Sequence, residues 1–318
     1  MLCSGMVEGD DGSGDHLARA ELPRAGLQVT AAVTTNVCDE ARRRHNCAST
    51  ATEVLSEAIT ATVLLSAALE DLDRLTLQWV GSGPMGGVIV DAAADGTVRG
   101  YVQNSAVRLW GSGGRVAALG AGGVLNAVRE REGRRTNGSV ERAGGTIADD
   151  VIHYLSQSEK RPSALVLDVR LDRQGSVLAA AGLLVEPARR PPRDLGGDDG
   201  AELAVAAGRA VLDSVGGPRL LARWGGGPLR AADLAAQALA PLAAQMHALH
   251  QRTLSFGCRC SREKVERMLA ALGTQELAEM IEKDGKGEVV CEFCARRYDF
   301  TREELLVIIR TLVTGRAN

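Results

Sequence analysis

Between residues 16 and 37 apolar and polar positions alternate, with Val29, Ala31 and Val33 on one face, and this period of two predicts one or two β-strands. An Arg42-Arg43-Arg44-His45-Asn46 stretch then leads into a different rhythm. Val54, Leu55, Ile59, Val63 and Leu64 recur at helical spacing, predicting a long apolar helix over residues 49–69 at the centre of a first domain. Strand patterns return over 75–80 and 88–90. Asp95-Gly96 turns a hairpin into 98–102, and strands are expected to continue to about residue 140 through a Gly-rich segment around Gly120. A helix over 147–155 precedes two strands, 164–171 and 176–185, joined by Asp172-Arg173-Gln174-Gly175.

Pro and Gly then interrupt the pattern. Arg189-Arg190-Pro191-Pro192-Arg193 and Gly196-Gly197-Asp198-Asp199-Gly200 mark residues 187–200 as a boundary. Residues 201–215 and 229–250 read as Ala-rich helices separated by Gly216-Gly217-Pro218 and Gly225-Gly226-Gly227-Pro228. With few bulky apolar anchors, they are expected to dock only weakly on the first domain. The resulting fold class is α+β. A disordered tail is expected over 1–14, a mixed α/β N-terminal domain with antiparallel strands over 15–186, a linker and helical middle region over 187–255, and a small C-terminal α/β module over 256–318.

In that last module, Ser261 caps a helix through Val265, Met268, Leu269 and Leu272 that Gly273 ends, and Thr274 starts another through Leu277, Ala278 and Ile281, closed by Asp284-Gly285. Glu288-Val289-Val290 forms a short strand, and Thr301-Arg302-Glu303-Glu304 is a capping box opening a helix through Leu305, Leu306 and Ile309. Four of the seven cysteines lie among these elements: Cys258 and Cys260 as C-x-C, Cys291 and Cys294 as C-x-x-C. Two close thiol pairs brought together supply the tetrahedral sulfur set that Zn²⁺ prefers. The single intervening residue of C-x-C leaves its thiols near enough to oxidise onto each other once the metal goes.

The chain carries a formal net charge of −3 and a pI near 6.0, and 3% of its residues are aromatic, which leaves few stacking platforms for bases. Residues 258–318 hold eleven Lys plus Arg against eleven Asp plus Glu, a balance that argues against phosphate neutralisation and hence against nucleic-acid binding. Residues 1–18 carry Glu8, Asp10, Asp11 and Asp15 and no Lys or Arg, unlike a secretory or transit peptide, so a cytoplasmic location is expected unless an upstream presequence precedes them. The longest apolar candidate, 231–249, is interrupted by Asp233, Gln237, Pro241, Gln245 and His247, so no membrane span is expected. Gly81 to Gly86 matches G-x-G-x-x-G, but Gly87 and a β-branched run follow where a dinucleotide site needs a helix; the loop reads as a hairpin. No Ser-His-Asp set, paired carboxylates or P-loop can be assembled, so no enzyme is expected. Cys38 and Cys47 are not a metal pair and read as small core or surface residues; Cys3 sits in the tail, and His247 and His250 read as solvated helix histidines.

The strings CRCSREKVERML and VVCEFC, at this spacing, resemble the redox-switch domain of the heat shock protein 33 family of redox-regulated holdase chaperones. EARRRHN, RLTLQWVGSGPMGG and GGTIADDVIHYLSQSEKRPSALVLDV resemble the same family's N-terminal domain, so the resemblance covers nearly the whole chain. It departs at His153-Tyr154, where the family usually has paired tyrosines, and over residues 110–122. The resemblance implies one zinc ion on Cys258, Cys260, Cys291 and Cys294 in a reduced, inactive state. It also implies that oxidation by hypochlorous acid, or by peroxide with heat, forms Cys291-Cys294 first and Cys258-Cys260 afterwards, releases the metal, unfolds the linker and favours a homodimer, and that the oxidised protein then holds unfolding clients without ATP.

Physical chemistry points the same way. Four thiolates on one zinc carry a formal charge of −2 and are oxidisable unless well buried. Structural zinc supplies about 10 to 16 kcal/mol in small fingers, comparable with the roughly 5 to 15 kcal/mol stability of a whole domain. Arg259, Lys264, Arg296 and Arg297 lie near the ligands in sequence, either offsetting that charge or simply solvated. The competing reading is a zinc ribbon with a purely structural metal and a nucleic-acid or protein-binding role.

Overall fold

Sixteen of the eighteen residues of the central helix, α2 (Ser49–Ser66), are buried, because two sheets enclose it. The computed structural model describes residues 14–70, 73–109, 111, 113–188, 202, 205–210, 220–222 and 224–315. It divides the chain into two compact units, Met1–Gly257 and Cys258–Asn318. A helix apolar all round belongs in a protein interior. Four hydroxyls of α2 are paired within the helix by donating back to the preceding turn: Thr52 to Ala48 O (3.0 Å), Thr60 to Ser56 O (2.8 Å), Thr62 to Ala58 O (2.7 Å) and Ser66 to Val63 O (2.7 Å).

The first sheet contains β1 (His16–Leu22), β2 (Leu27–Val33), β8 (Ala164–Leu171), β9 (Val177–Pro187) and β10 (His247–Thr253), in the order β10-β1-β2-β9-β8, all antiparallel. The second contains β3 (Arg74–Gly81), β4 (Gly87–Ala93), β5 (Thr97–Val102), β6 (Gly123–Arg131), β7 (Arg134–Glu141) and β11 (Ser255–Phe256), in the order β11-β5-β4-β3-β6-β7. Helix α2 packs on β2, β8 and β9 of one sheet and on β3, β4 and β5 of the other. The Gly81–Gly86 loop turns β3 into β4 as a hairpin. Its Gly83 N–H donates to Leu119 O (2.9 Å) at the end of α3 (Gly114–Leu119), and a Cβ on Gly83 would stand 2.5 Å from Ala118 O. These glycines therefore admit a neighbouring backbone rather than a phosphate.

Three expectations need correction. The pattern over 16–37 ends sooner as strand, at Val33, and α1 (Thr35–His45) begins, capped by Asn46 in the left-handed conformation. The segment around Gly120 contains α3 rather than continuous strand. The middle region is only partly helical: α5 (Ala231–Ala238) follows α4 (Ile147–Gln157) among the labelled helices, a 3-10 turn covers Ala240–Gln245, and residues 247–253 form β10, which adds to the edge of β1. Open ladder groups on β1 outweigh the helical propensity of an Ala-rich segment. His247 and His250 are accordingly exposed strand residues, not helical ones. Helical residues 205–210 are described; most of the expected tail and of the boundary at 187–200 lies outside the described residues.

The second unit follows its local signals. Ser261 accepts the Lys264 N–H (3.3 Å) to cap α6 (Arg262–Leu272). Helix α7 (Thr274–Asp284) ends on Gly285, β12 (Lys286–Val290) pairs with β13 (Arg297–Thr301), and Thr301 and Glu304 form the capping box of α8 (Arg302–Gly315).

Candidate metal centre

Cys258 and Cys260 lie on the extended segment that enters α6, and Cys291 and Cys294 on the turn between β12 and β13. That turn is built for close thiols. Cys291 N donates to Arg296 O (2.9 Å), Ala295 N donates to Cys291 O (2.8 Å), and Ala295 adopts a left-handed φ of 54°. All four Sγ atoms lie within 4.8 Å of one another, with Cys258–Cys291 at 3.7 Å and Cys260–Cys294 at 3.4 Å. A tetrahedral Zn²⁺ with Zn–S bonds of about 2.3 Å requires sulfurs about 3.8 Å apart. The cluster therefore fits that ion, and all four thiols are unbridged. Burial raises the Cys291 and Cys294 thiols, so holding them beside two more sulfurs as thiolates calls for a countercharge of the kind a divalent cation supplies.

The scaffold around the sulfurs is thin. Among the described residues its hydrophobic core consists of Val265, Leu269, Leu277, Ile281, Tyr298, Phe300 and Leu305, with Cys294 buried beside them. Met268 and Leu272, expected on the inner face of α6, are 64% and 51% exposed. Arg262 ties the start of α6 to the hairpin through the Phe300 ring (4.2 Å), Asp299 O (3.0 Å) and Glu304 (2.6 Å). Of the cations flagged in the sequence, Lys264 donates to Arg259 O (2.6 Å), Arg297 pairs with Glu288 and Asp299, and Arg296 lies within electrostatic reach of Cys260 and Cys294. Sequence reasoning missed Tyr298, whose hydroxyl donates to Cys260 Sγ at 3.1 Å, a bond that holds its phenol above the usual range. The period of β13 places Tyr298 with Phe300 on the buried face, which was the available signal. Cys38 and Cys47 stay apart from this cluster, buried in the first unit, where desolvation pushes each thiol up to about 12.

A second feature lies in the first unit. The face of the five-stranded sheet turned away from α2 presents Leu22, Leu27, Val29, Val33, Leu183 and Val185, and it is covered by Leu221, Ala231, Leu234, Ala235, Ala238 and Leu239. Among the described residues the polar contacts that fasten the cover include Leu221 N–H to Asp168 (2.8 Å), Ala231 N–H to His16 Nε2 (3.0 Å), the β10–β1 ladder, and Arg252 of β10 to Ser66 O (3.2 Å) and Leu69 O (3.1 Å).

The profile of the Hsp33 protein family matches residues 15–301. The chain belongs to the Hsp33 family. A 33 kDa chaperonin of Synechocystis sp. is 37% identical over 301 residues, spanning 93% of this chain and 96% of its own; one of Desulforamulus reducens is 33% identical over 309 residues, spanning 94% and 98%. The crystal structure of the 33 kDa chaperonin of Thermotoga maritima, a heat shock protein 33 homologue, is similar with a TM-score of 0.80 at 28% identity, covering 94% of this chain and 99% of that one. Hsp33 membership makes this a chaperone-family chain. Among the described residues no helix is long and apolar enough to cross a membrane.

Proposed function

We propose that this chain is an ATP-independent holdase, switched on when oxidation of Cys258, Cys260, Cys291 and Cys294 releases a single zinc ion. The observation that carries this reading is the set of four sulfurs at zinc spacing within a module whose core, among the described residues, is a cluster of seven buried side chains. Zn²⁺ held there would neutralise two of the four thiolate charges and cross-link the entry to α6 with the β12–β13 turn. In each oxidising step two thiolates give up two electrons and join: 2 RS⁻ + HOCl → RSSR + Cl⁻ + OH⁻. The disulfides Cys291-Cys294 and Cys258-Cys260 draw the sulfurs out of tetrahedral arrangement, and the module loses the cross-link its small core cannot replace.

The apolar sheet face of the first unit is the surface such a switch would serve. Its Ala-rich cover runs through β10 and residues 254–257 into Cys258, and since β11 in that stretch pairs with β5, unfolding of the module would have to spread through this short pairing to free the cover. An exposed face of Leu and Val side chains would bind unfolding chains. The boundaries 15–186, 187–255 and 256–318 then correspond to client platform, releasable cover and sensor. The same reading includes dimerisation of the oxidised form, a cytoplasmic location, no nucleic-acid partner and no enzymatic activity.

The test treats zinc-loaded protein with hypochlorite, follows metal release with a chelating dye, and measures suppression of aggregation of a heat-labile client before and after. Metal release accompanied by new protection is the expected result. Equal protection by the reduced and oxidised forms, or retention of the metal after treatment, would favour the structural zinc ribbon.

A further inference from the structure

The sulfurs of the cluster receive different hydrogen-bond donors. The backbone N–H groups of Phe293 and Cys294 point at Cys291 Sγ, and that of Arg296 at Cys294 Sγ; both are set by the turn itself. Cys260 instead takes a side-chain donor, the Tyr298 hydroxyl at 3.1 Å. Tyr298 stands opposite Val289 in the β12–β13 ladder, is 7% exposed, and belongs to the module's core, so its ring is held by packing while its oxygen reaches the sulfurs. Behind it the exposed Arg296 guanidinium lies within electrostatic reach of the same hydroxyl. The result is a relay from Arg296 through Tyr298 to Cys260.

We propose that Tyr298 is a positioning residue that sets how readily the thiolate cluster is oxidised, with Arg296 acting through it. This rests on the reading of the cluster as a zinc redox centre. A hydrogen bond donated to a thiolate draws electron density from sulfur and lowers its nucleophilicity, and groups around metal-bound sulfurs tune both reactivity and affinity. With hydrogen peroxide as oxidant the step is 2 RS⁻ + H₂O₂ → RSSR + 2 OH⁻: the pair Cys258 and Cys260 loses two electrons, one S–S bond forms and the O–O bond breaks. The Tyr298 proton is not consumed; its hydroxyl weakens Cys260 as the attacking sulfur and so slows closure of the Cys258-Cys260 pair.

The experiment uses the full chain, reduced and zinc-loaded, as wild type, Tyr298→Phe, Arg296→Ala, the double variant and Val289→Ala. Rates of zinc release are measured across peroxide concentrations, zinc affinity by competition with a chromophoric chelator, and thiol order by alkylation and mass spectrometry at half release. Tyr298→Phe keeps the ring and removes the donor. It is expected to release zinc about tenfold faster and to bind it about tenfold more weakly, in line with the usual cost of losing an outer-shell partner, with Cys258-Cys260 appearing among the early disulfides. Arg296→Ala should move in the same direction by less, and the double variant should exceed Tyr298→Phe only by the arginine's small direct Coulombic effect on Cys260 and Cys294. Val289→Ala loosens packing beside Tyr298 without touching the donor. If it accelerates release as much as Tyr298→Phe, or if Tyr298→Phe stays within twofold of wild type with the thiol order unchanged, the relay is overturned. No client enters these measurements, so a relay that holds alongside absent client protection would reject the holdase reading alone.

Discussion

Leu234 offers a direct test of whether the cover conceals a working surface. It is 5% exposed on α5 and is the one bulky side chain among Ala231, Ala235 and Ala238 on the buried side of that helix. Leu234→Ala removes three buried carbons, worth about 2.5 kcal/mol at ~0.8 kcal/mol each, within the range of about 2 to 5 kcal/mol measured for such truncations. Helix α5 has only eight residues, too short to persist undocked, so the loss falls on the local equilibrium between covered and uncovered sheet. At about 1.4 kcal/mol per factor of ten, the uncovered population rises roughly 50-fold. Reduced, zinc-loaded L234A should therefore suppress client aggregation and bind a hydrophobic dye without any oxidant, while metal content and unfolding of the α2 core stay as in the wild type. Hydrogen exchange over residues 231–253 reports the opening itself. If exchange there accelerates as expected and the reduced variant still ignores clients, the covered face is not the client site.

Other consequences can be measured independently. Burial lifts the Glu57 carboxyl to about 7, although Arg115 pairs with it; because this folded value lies above the unfolded one, the penalty is absent below about pH 4.5, grows up to pH 7 and then stays constant. A displacement of that size corresponds to about 3 kcal/mol above pH 7, so Glu57→Gln should flatten the pH dependence of chemical denaturation and remove most of the loss between pH 5 and pH 8; an unchanged slope would exclude the assignment. Asp15, lifted to about 6 by burial, leaves a smaller slope of the same sign. His16→Leu removes the acceptor of the Ala231 N–H and should cost about 1 to 3 kcal/mol locally, read as faster exchange over 231–238; His16→Gln, which retains an acceptor, should restore most of the protection. Stripping the metal with a strong chelator should abolish the circular-dichroism helicity of 262–315 while leaving the thermal transition of the first unit in place, and cooperative loss of both would show that they fold as one.

The second unit was the most legible part of the sequence because its signals are local. Ser261, Gly273, Gly285 and the Thr301-Glu304 box each fix an element end through atoms a few residues away, and cysteine spacing alone brought the four sulfurs together. The helix over Ser49–Ser66 was legible from its length and uniform apolarity. What escaped depended on partners distant in sequence. Residues 247–253 become strand because β1, more than two hundred residues earlier, offers an open edge, and no local pattern of Ala and Leu records that. Met268 and Leu272 lie at helical spacing with Leu269, yet the module is too small to cover them. The donor to Cys260 was hidden for a related reason, since only the β12–β13 register turns Tyr298 toward the sulfurs.

The enclosure of α2 sets a limit on how far this molecule can come apart while it works. One side of the five-stranded sheet is fixed to a rod that both sheets grip, so under the proposed switch only the opposite side would be free to shed and regain a covering segment. A protein built this way would surrender order at its periphery and still retain an intact seed on which the lost pieces reassemble.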